Sequence, residues 1–212
     1  MGGASMLEED TWRAVAGGEQ SDWEWRAQII SKFIRPDDCV FDFGAGNRKL
    51  ERLLPPSCRY VPIDAVDTLP GTFTVDFNKE FRLPQEPMTV AVCAGFLEYI
   101  EDVPGFFMKL REAAPRSVVL FSYLLSKETA RSAMRVTSAY RSLEAVLGAV
   151  GPHIAFPRLI STVHDTVIIA ASLAEPGKQP WQDMQSLGEA MKPRSKPGTL
   201  EKLARSLRKR IG

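Results

Sequence analysis

Histidine and cysteine are scarce in this chain of 212 residues, which contains two of the former and three of the latter. Cys39, Cys58 and Cys93 are odd in number and lack the paired spacing of metal ligands, so we expect small buried hydrophobic side chains in a reducing compartment. A zinc enzyme has no paired Cys or His ligands here, and a nucleophile-elbow hydrolase has no G-x-S-x-G.

Long hydrophobic runs and an excess of charge are also missing. No stretch approaches the roughly 20 apolar residues of a membrane span, and Glu8, Glu9 and Asp10 lie where a secretory signal would be basic and then apolar. The composition therefore predicts a cytoplasmic protein with one well-buried domain. A formal net charge of +1 says little about partners.

The most informative stretch is 39–47, where an apolar run ends in Asp42 and then breaks at Gly44 and Gly46. This order is typical of a parallel strand followed by a nucleotide-binding loop, with the N–H groups of a helix N-terminus beyond it. A second apolar run ends in Asp64, about twenty residues later. That spacing places a carboxylate on ribose hydroxyls in βαβ folds.

Apolar runs alternate with helical patterns along the rest of the chain, which predicts a parallel sheet covered by helices. The last two strands are close enough to form a hairpin, so one of them is expected to be antiparallel, and the link between the second and third strands is short for a helix. We predict helices at 22–34, 47–54, 103–114 and 127–150, and strands at 39–43, 60–63, 72–77, 89–94, 117–123, 154–161 and 166–173.

Residues 22–174 resemble the class I S-adenosylmethionine-dependent methyltransferases. The resemblance is carried by the glycine-rich stretch 40–46, by Asp64, by Asp76-Phe77-Asn78 and by 94–102, which looks like the segment after the fourth strand in the small-molecule branch. It implies an α/β fold, a Rossmann-like three-layer sandwich with a seven-stranded, mostly parallel sheet and an antiparallel terminal hairpin strand. It also implies S-adenosylmethionine as cofactor.

The resemblance further implies roles for residues at the carboxyl ends of the strands. Asp42 would face the methionine ammonium group, Asp64 would accept the ribose hydroxyls, and Asp76 would hold the adenine amino group. Asp76 is alternatively a turn former, and Phe77 either flanks the purine or belongs to the core. The implied cofactor-binding residues are Asp42, Gly44, Ala45, Gly46, Arg48, Asp64, Ala65, Asp76, Phe77, Cys93, Ala94 and Gly95.

Two features depart from the family pattern. Arg48 occupies the place of the third glycine, where its guanidinium either turns outward into solvent or pairs with the carboxylate of the cofactor. The short link after Asp64 leaves one face of the sheet thin. Trp12, Trp23, Trp25 and Arg26 of the N-terminal segment either cover the cofactor as a lid or pack against the sheet edge.

The acceptor and the catalytic base are less defined by the sequence. Glu98, Tyr99 and Tyr123 follow the fourth and fifth strands and are the candidates to orient or deprotonate an acceptor. The segment 97–99 looks like branches that modify small molecules, lipids or glycans. A nucleic-acid acceptor is disfavoured, because the Asn-Pro-Pro-Tyr run of base methylases is missing after the fourth strand.

The segments outside the domain differ from it in composition. We expect an N-terminal extension at 1–21, a proline-rich linker at 175–198 and a basic amphipathic tail at 199–212. The tail suits an anionic membrane surface, an acidic partner or nucleic acid, or it is simply solvated. Two alternatives to methyl transfer stay open: a cofactor-binding scaffold without turnover, and a nicotinamide-dependent oxidoreductase.

Overall fold

A computed structural model describes residues 24–125, 140, 142–163 and 165–173. The strands are β1 (Cys39–Phe43), β2 (Arg59–Asp64), β3 (Phe73–Thr74), β4 (Val90–Cys93), β5 (Val118–Leu124), β6 (Ala155–Val163) and β7 (Thr166–Ser172). The α-helices are α1 (Glu24–Ser31), α2 (Val103–Ala113) and α3 (Leu143–Val150). Short 3-10 helices span Glu51–Leu53, Leu97–Tyr99 and Gly151–His153.

The seven strands form one sheet in the order β3-β2-β1-β4-β5-β7-β6. Strands β1 to β5 are parallel to one another, whereas β7 is antiparallel to both β5 and β6. The predicted terminal hairpin is therefore confirmed, and it places an antiparallel strand inside an otherwise parallel sheet. The order reverses between β1 and β4, which is where open α/β sheets bind ligands.

Every residue of β1, β4 and β7 is buried, as expected for strands covered on both faces. Because side chains alternate along a strand, Phe41 and Phe43 enter one apolar cluster while Val40 enters the other. Helices α2 and α3 cover the first cluster, and α1 covers the second through Ala27 and Ile30. These three layers confirm the predicted fold class.

Two predicted helices differ from the structure. Residues 47–54 form turns and the 3-10 helix Glu51–Leu53 instead of an α-helix. Arg48 adopts a left-handed backbone conformation with φ of 55°, which interrupts a helix at its first turn. The predicted helix 127–150 is described only from 140 onward, where it begins at Leu143 after the extended Ser142, whose Oγ caps Ala145 N at 3.2 Å.

The remaining boundaries shift by small amounts. Helix α1 ends at Ser31, three residues before the predicted end, and β3 spans only Phe73–Thr74 of the predicted 72–77. The link between β2 and β3 contains no helix, as its length predicted. No helix in the described ranges is long and apolar enough to cross a membrane. The extension, linker and tail lie outside those ranges.

Candidate active site

A cleft of about 1070 Å³, including the space that opens to solvent, lies where the sheet order reverses. Its walls come from the loops after β1, β2, β3 and β4 and from one side of α1. Most of the predicted cofactor residues meet there. Those that line it are Asp42, Gly44, Ala45, Gly46, Asp64, Ala65, Asp76, Phe77, Ala94 and Gly95.

The loop after β1 is held by hydrogen bonds to the end of β2. The main-chain N–H groups of Gly44 and Ala45 donate to the carbonyl of Ile63 at 2.8 and 3.0 Å, and Gly46 N donates to Asp64 Oδ2 at 2.8 Å. The sequence led us to expect free N–H groups from a following helix. The structure corrects this, because no α-helix follows and these three donors are already bonded within the protein.

Glycine is required in this loop for its shape. Gly44 has a φ of 73°, and a Cβ there would lie 3.2 Å from the ring of Phe96. Gly95, after β4, has a φ of 71°. Side chains at either position would be strained and would narrow the cleft. The loop therefore contributes a close backbone approach to a ligand.

Asp64 is the best-supported ligand-binding group. Its Oδ1 accepts from Ala65 N at 2.7 Å and its Oδ2 from Gly46 N at 2.8 Å, so the carboxylate is fixed in orientation. The main-chain N–H of Val66 is a third donor, and a carboxylate with about four acceptor sites keeps the capacity for a further hydrogen bond from a ligand. Burial raises the pKa of Asp64, and the main-chain N–H groups of Gly46, Ala65 and Val66 counteract that rise.

Asp42 is buried at the end of β1 and accepts a 2.6 Å hydrogen bond from the hydroxyl of Tyr60. Burial raises the pKa of Asp42 to about 7, while the Tyr60 hydroxyl acts in the opposite direction. An acid that is half-ionised near neutrality responds strongly to a cation placed beside it. Asp42 can therefore act as an ammonium-binding group whose charge increases when the cation arrives.

Asp76 and Phe77 combine the alternatives that the sequence left open. Asp76 lines the cleft and also organises its own turn, since Asn78 N donates to its Oδ1 at 3.0 Å and Lys79 Nζ lies 3.1 Å from its Oδ2. Phe77 lines the cleft too, while its ring packs 5.4 Å from those of Phe43 and Phe106. Both residues have a structural role whether or not they touch a ligand.

Four predicted site residues are not brought to the cleft. The guanidinium of Arg48 turns toward the β2–β3 loop, where Nη2 donates to the carbonyls of Leu69 and Pro70 and to Thr72 Oγ1 at 2.7 to 3.0 Å. The Cys93 side chain is buried in an apolar cluster, and this burial raises the pKa of its thiol well above the usual value. The other two are candidate catalytic residues.

The three candidate catalytic residues are separated by the structure. Glu98 is 5% exposed, and its Oε1 accepts from Leu124 N at 3.0 Å, which ties the segment after β4 to the end of β5. Tyr123 is buried with its ring 5.8 Å from that of Tyr140. Only Tyr99 lines the cleft. The catalytic role of each stays a prediction, and the geometry favours Tyr99.

Sequence reasoning missed Asn78, which joins two walls of the cleft. Its Nδ2 donates to the carbonyl of Tyr99, and its Oδ1 accepts from Glu101 N, both at 2.9 Å. The partners lie more than twenty residues away, so no local pattern indicates them. A polar residue two positions after Asp76 was the available signal.

The N-terminal segment contributes to the cleft through α1. Arg26, Ala27 and Ile30 line it, while Trp25 packs partly buried against the apolar cluster beneath. The described part of this segment therefore forms one wall of the cleft and also packs into the core, while its role as a lid stays a prediction. Trp12 and Trp23 lie outside the described residues.

Comparison with known proteins agrees with this geometry. A methyltransferase-domain family matches residues 21–162, and the chain belongs to that family. The predicted family and fold are confirmed, and the oxidoreductase interpretation is not supported. No curated protein matches the chain.

Solved structures show the same fold at low sequence identity. Human N-acetylserotonin methyltransferase in complex with SAM is 14% identical with a TM-score of 0.59, covering 79% of this chain and 57% of that one. A SAM-dependent methyltransferase from Aquifex aeolicus is 10% identical with a TM-score of 0.58, and the match covers 80% of this chain and 100% of that one. An O-methyltransferase family 2 protein from Planctomyces limnophilus, in complex with apigenin, is 14% identical with a TM-score of 0.56, covering 80% and 63%. The chain thus spans under two thirds of the larger structures.

Proposed function

We propose that this protein transfers a methyl group from S-adenosylmethionine to a small-molecule acceptor. The observation that carries the proposal is the fixed carboxylate of Asp64 beside the glycine loop, in a cleft at the point where the sheet order reverses. Family membership supports the methyl-transfer chemistry. Structural neighbours that act on or bind small molecules, by their names, support the acceptor class.

The residues of the cleft fit this cofactor. Asp64 keeps the capacity to accept from a ribose hydroxyl, and Gly44 leaves room that a Cβ would fill. Asp42 suits the methionine ammonium group, and Asp76 with Phe77 suits the adenine at the other end. When bound, the cofactor supplies a sulfonium methyl group that is already activated for displacement.

The protein's task is then to orient the acceptor and exclude water. Tyr99 suits the first part, since it lines the cleft and Asn78 holds its carbonyl. Its phenol can accept from or donate to an acceptor hydroxyl, amine or carboxylic acid. Ala27, Ile30, Phe96 and Ile100 give the cleft an apolar lining that suits the second part.

Calorimetry followed by an acceptor panel tests the proposal. The protein is titrated with S-adenosylmethionine and S-adenosylhomocysteine, and release of S-adenosylhomocysteine is then followed with phenols, carboxylic acids, amines, lipids and glycans. We expect binding of both nucleosides and turnover on a small molecule. Absence of binding contradicts the proposal, and turnover only on a lipid or a glycan contradicts the acceptor class.

A second candidate function is cofactor binding without turnover. It is favoured by one observation: two of the three predicted catalytic residues do not line the cleft, because Glu98 accepts a hydrogen bond from Leu124 N and Tyr123 packs against Tyr140. Tight binding of S-adenosylmethionine with no methylated product across the whole panel is the result expected of such a protein.

A further inference from the structure

We propose that Asn78 is a positioning residue that holds Tyr99 in the cleft and links it to the turn at Asp76. The inference rests on the proposed function and deepens it, because it names the side chain that joins the adenine end of the cofactor site to the acceptor end. Asn78 affects the reaction through Tyr99 and not through a bond of its own to the acceptor.

The amide of Asn78 forms a matched pair of hydrogen bonds with the main chain after β4. Its Nδ2 donates to the carbonyl of Tyr99 and its Oδ1 accepts from the N–H of Glu101, both at 2.9 Å. These two main-chain groups flank Ile100, whose backbone is extended. The pairing needs one donor and one acceptor on the same short side chain. An asparagine amide provides both, whereas an aspartate or an alanine does not.

The segment that contains Tyr99 depends on contacts with other parts of the chain. Residues Leu97–Tyr99 form a single 3-10 turn, and a turn of this kind has poor hydrogen-bond geometry of its own. On the side of β5, Glu98 Oε1 accepts from Leu124 N at 3.0 Å. On the side of β3, the segment is held by the amide of Asn78. Loss of that amide therefore removes one of the bonds that fix the main chain at Tyr99.

Asn78 is itself held in place by Asp76. The main-chain N–H of Asn78 donates to Asp76 Oδ1 at 3.0 Å, and those of Lys79 and Glu80 donate to the Asp76 carbonyl at 2.9 and 3.0 Å. Asp76 lines the cleft and suits the adenine of the cofactor. A ligand at Asp76 therefore acts on the turn that contains Asn78, and through the Asn78 amide on Tyr99.

The exposure of Asn78 separates this role from a general role in folding. Asn78 is exposed and belongs to neither apolar cluster, so its truncation leaves the core packing intact. Glu80 lies on the same turn, is exposed and pairs with Arg82 at 3.4 Å. It does not line the cleft, which makes Glu80→Gln a matched control.

A double-mutant cycle tests whether Asn78 acts through Tyr99. On the small-molecule acceptor found in the panel, we expect Asn78→Ala to lower kcat about 10-fold and to change the KM for S-adenosylmethionine less than about threefold, because the acceptor is misplaced. In a Tyr99→Phe background the same change should lower kcat by less than about twofold. Asn78→Gln keeps both amide groups and should recover part of the loss. Glu80→Gln should leave kcat within about twofold.

Fluorine NMR gives a readout that needs no acceptor. The protein is labelled with 3-fluorotyrosine, and the signal of Tyr99 is identified by its absence from Tyr99→Phe. We expect saturating S-adenosylhomocysteine to shift this signal in wild type and to shift it less than about half as far in Asn78→Ala, since the link from Asp76 is lost. The signals of Tyr60, Tyr123 and Tyr140 should respond alike in the two proteins.

Several results would overturn the assignment. Additive losses in the cycle would mean that Asn78 does not act through Tyr99, and a raised KM for S-adenosylmethionine with unchanged kcat would assign Asn78 to the cofactor. An equal fluorine shift in wild type and Asn78→Ala would show that the ligand affects Tyr99 without Asn78. If Asn78→Ala does not fold, Asn78→Asp, which lacks the donor for the Tyr99 carbonyl, is used in both comparisons.

Failure of the proposed function gives different results. If wild type does not bind S-adenosylhomocysteine, the cofactor itself is wrong. If wild type binds it but methylates no acceptor in the panel, methyl transfer is contradicted, and the fluorine comparison still decides whether Asn78 links Asp76 to Tyr99.

Discussion

The two halves of the cleft are built in different ways. On the side of β1 and β2, the glycine loop and Asp64 bond directly to each other, and both line the cavity. On the side of β4 and β5, Glu98 accepts a hydrogen bond from Leu124 N and Tyr123 packs against Tyr140, while Arg26 and Tyr99 line the cavity. In the first half, the ligand-binding groups are held in position by direct hydrogen bonds between two adjacent strand ends. The second half is assembled from residues that lie far apart in the chain.

The largest effect is expected at Asp64, where the first half depends on one side chain. Asp64→Ala removes the proposed acceptors for the ribose hydroxyls and also releases Gly46 N, so we expect affinity for S-adenosylhomocysteine to fall about 100-fold or more. Isothermal titration measures this. Asp67→Ala, an exposed acid three residues further on, should leave the affinity within about twofold. If the two variants lose the same affinity for S-adenosylhomocysteine, Asp64 is not a specific ligand-binding group, and the first half of the cleft does not depend on it.

The different construction of the halves explains what the sequence could predict. Strand β1 is found at the predicted residues 39–43, and the acid ending β2 lies beside the glycine loop, because adjacent parallel strands bring their ends together. The predicted helix 47–54 is wrong because Arg48 has a left-handed backbone conformation with φ of 55°, while its guanidinium bonds to carbonyls more than twenty residues away. Local propensity contains no information about such contacts.

The same reasoning explains why the sequence did not predict the position of Arg26 at the cleft. Its partners Gly95 and Ser122 belong to strand ends that lie far along the chain, and the hydrogen bond to Ser122 spans 96 residues. A tryptophan- and arginine-containing segment before the first strand indicated a cover over the cleft, and no more. Residues that act across the sheet need the topology before their position is known.

A comparison of Tyr99 and Glu98 tests which residue on the side of β4 and β5 takes part in catalysis. We expect Tyr99→Phe to lower kcat/KM about 10- to 100-fold, because the phenol is lost from the cleft while the ring is kept. Glu98→Gln keeps an acceptor for Leu124 N and should lower it less than about threefold. Steady-state kinetics on the acceptor found in the panel gives both values, with cofactor affinity as the control. A larger loss in Glu98→Gln would return the catalytic role to the buried acid.

Asp42, in the first half of the cleft, makes the free energy of unfolding of the protein depend on pH. Its pKa of about 7 in the folded protein exceeds the 3.8 of an ordinary aspartate, so between those values the folded state holds a proton that the unfolded state has lost. Stability therefore falls as pH rises through this window. From pH 5 to 7.5 we expect a loss on the order of 2 kcal/mol from this group.

Denaturant unfolding at several pH values measures this loss, and Asp42→Asn should remove it. Tyr60→Phe is the matched variant. It deletes the hydrogen bond that lowers the pKa of Asp42, so the fall in stability should extend to higher pH. If the unfolding free energy instead changes with pH in the same way in wild type, Asp42→Asn and Tyr60→Phe, Asp42 is ionised in the folded protein throughout this interval.

The smallest effect on ligand binding is expected at Arg48, which lies between the glycine loop and the β2–β3 loop. Arg48→Ala loses the guanidinium bonds and keeps the left-handed backbone, whereas Arg48→Gly loses the bonds but relieves a strain of about 1 kcal/mol. We expect Arg48→Ala to lower the unfolding free energy by about 2 kcal/mol and Arg48→Gly by about 1 kcal/mol. Both should bind S-adenosylhomocysteine within about threefold of wild type, since the guanidinium turns away from the cleft. A tenfold loss of affinity in both variants, with stability preserved, would instead show that Arg48 contacts the ligand and belongs to the binding residues on the side of β1 and β2.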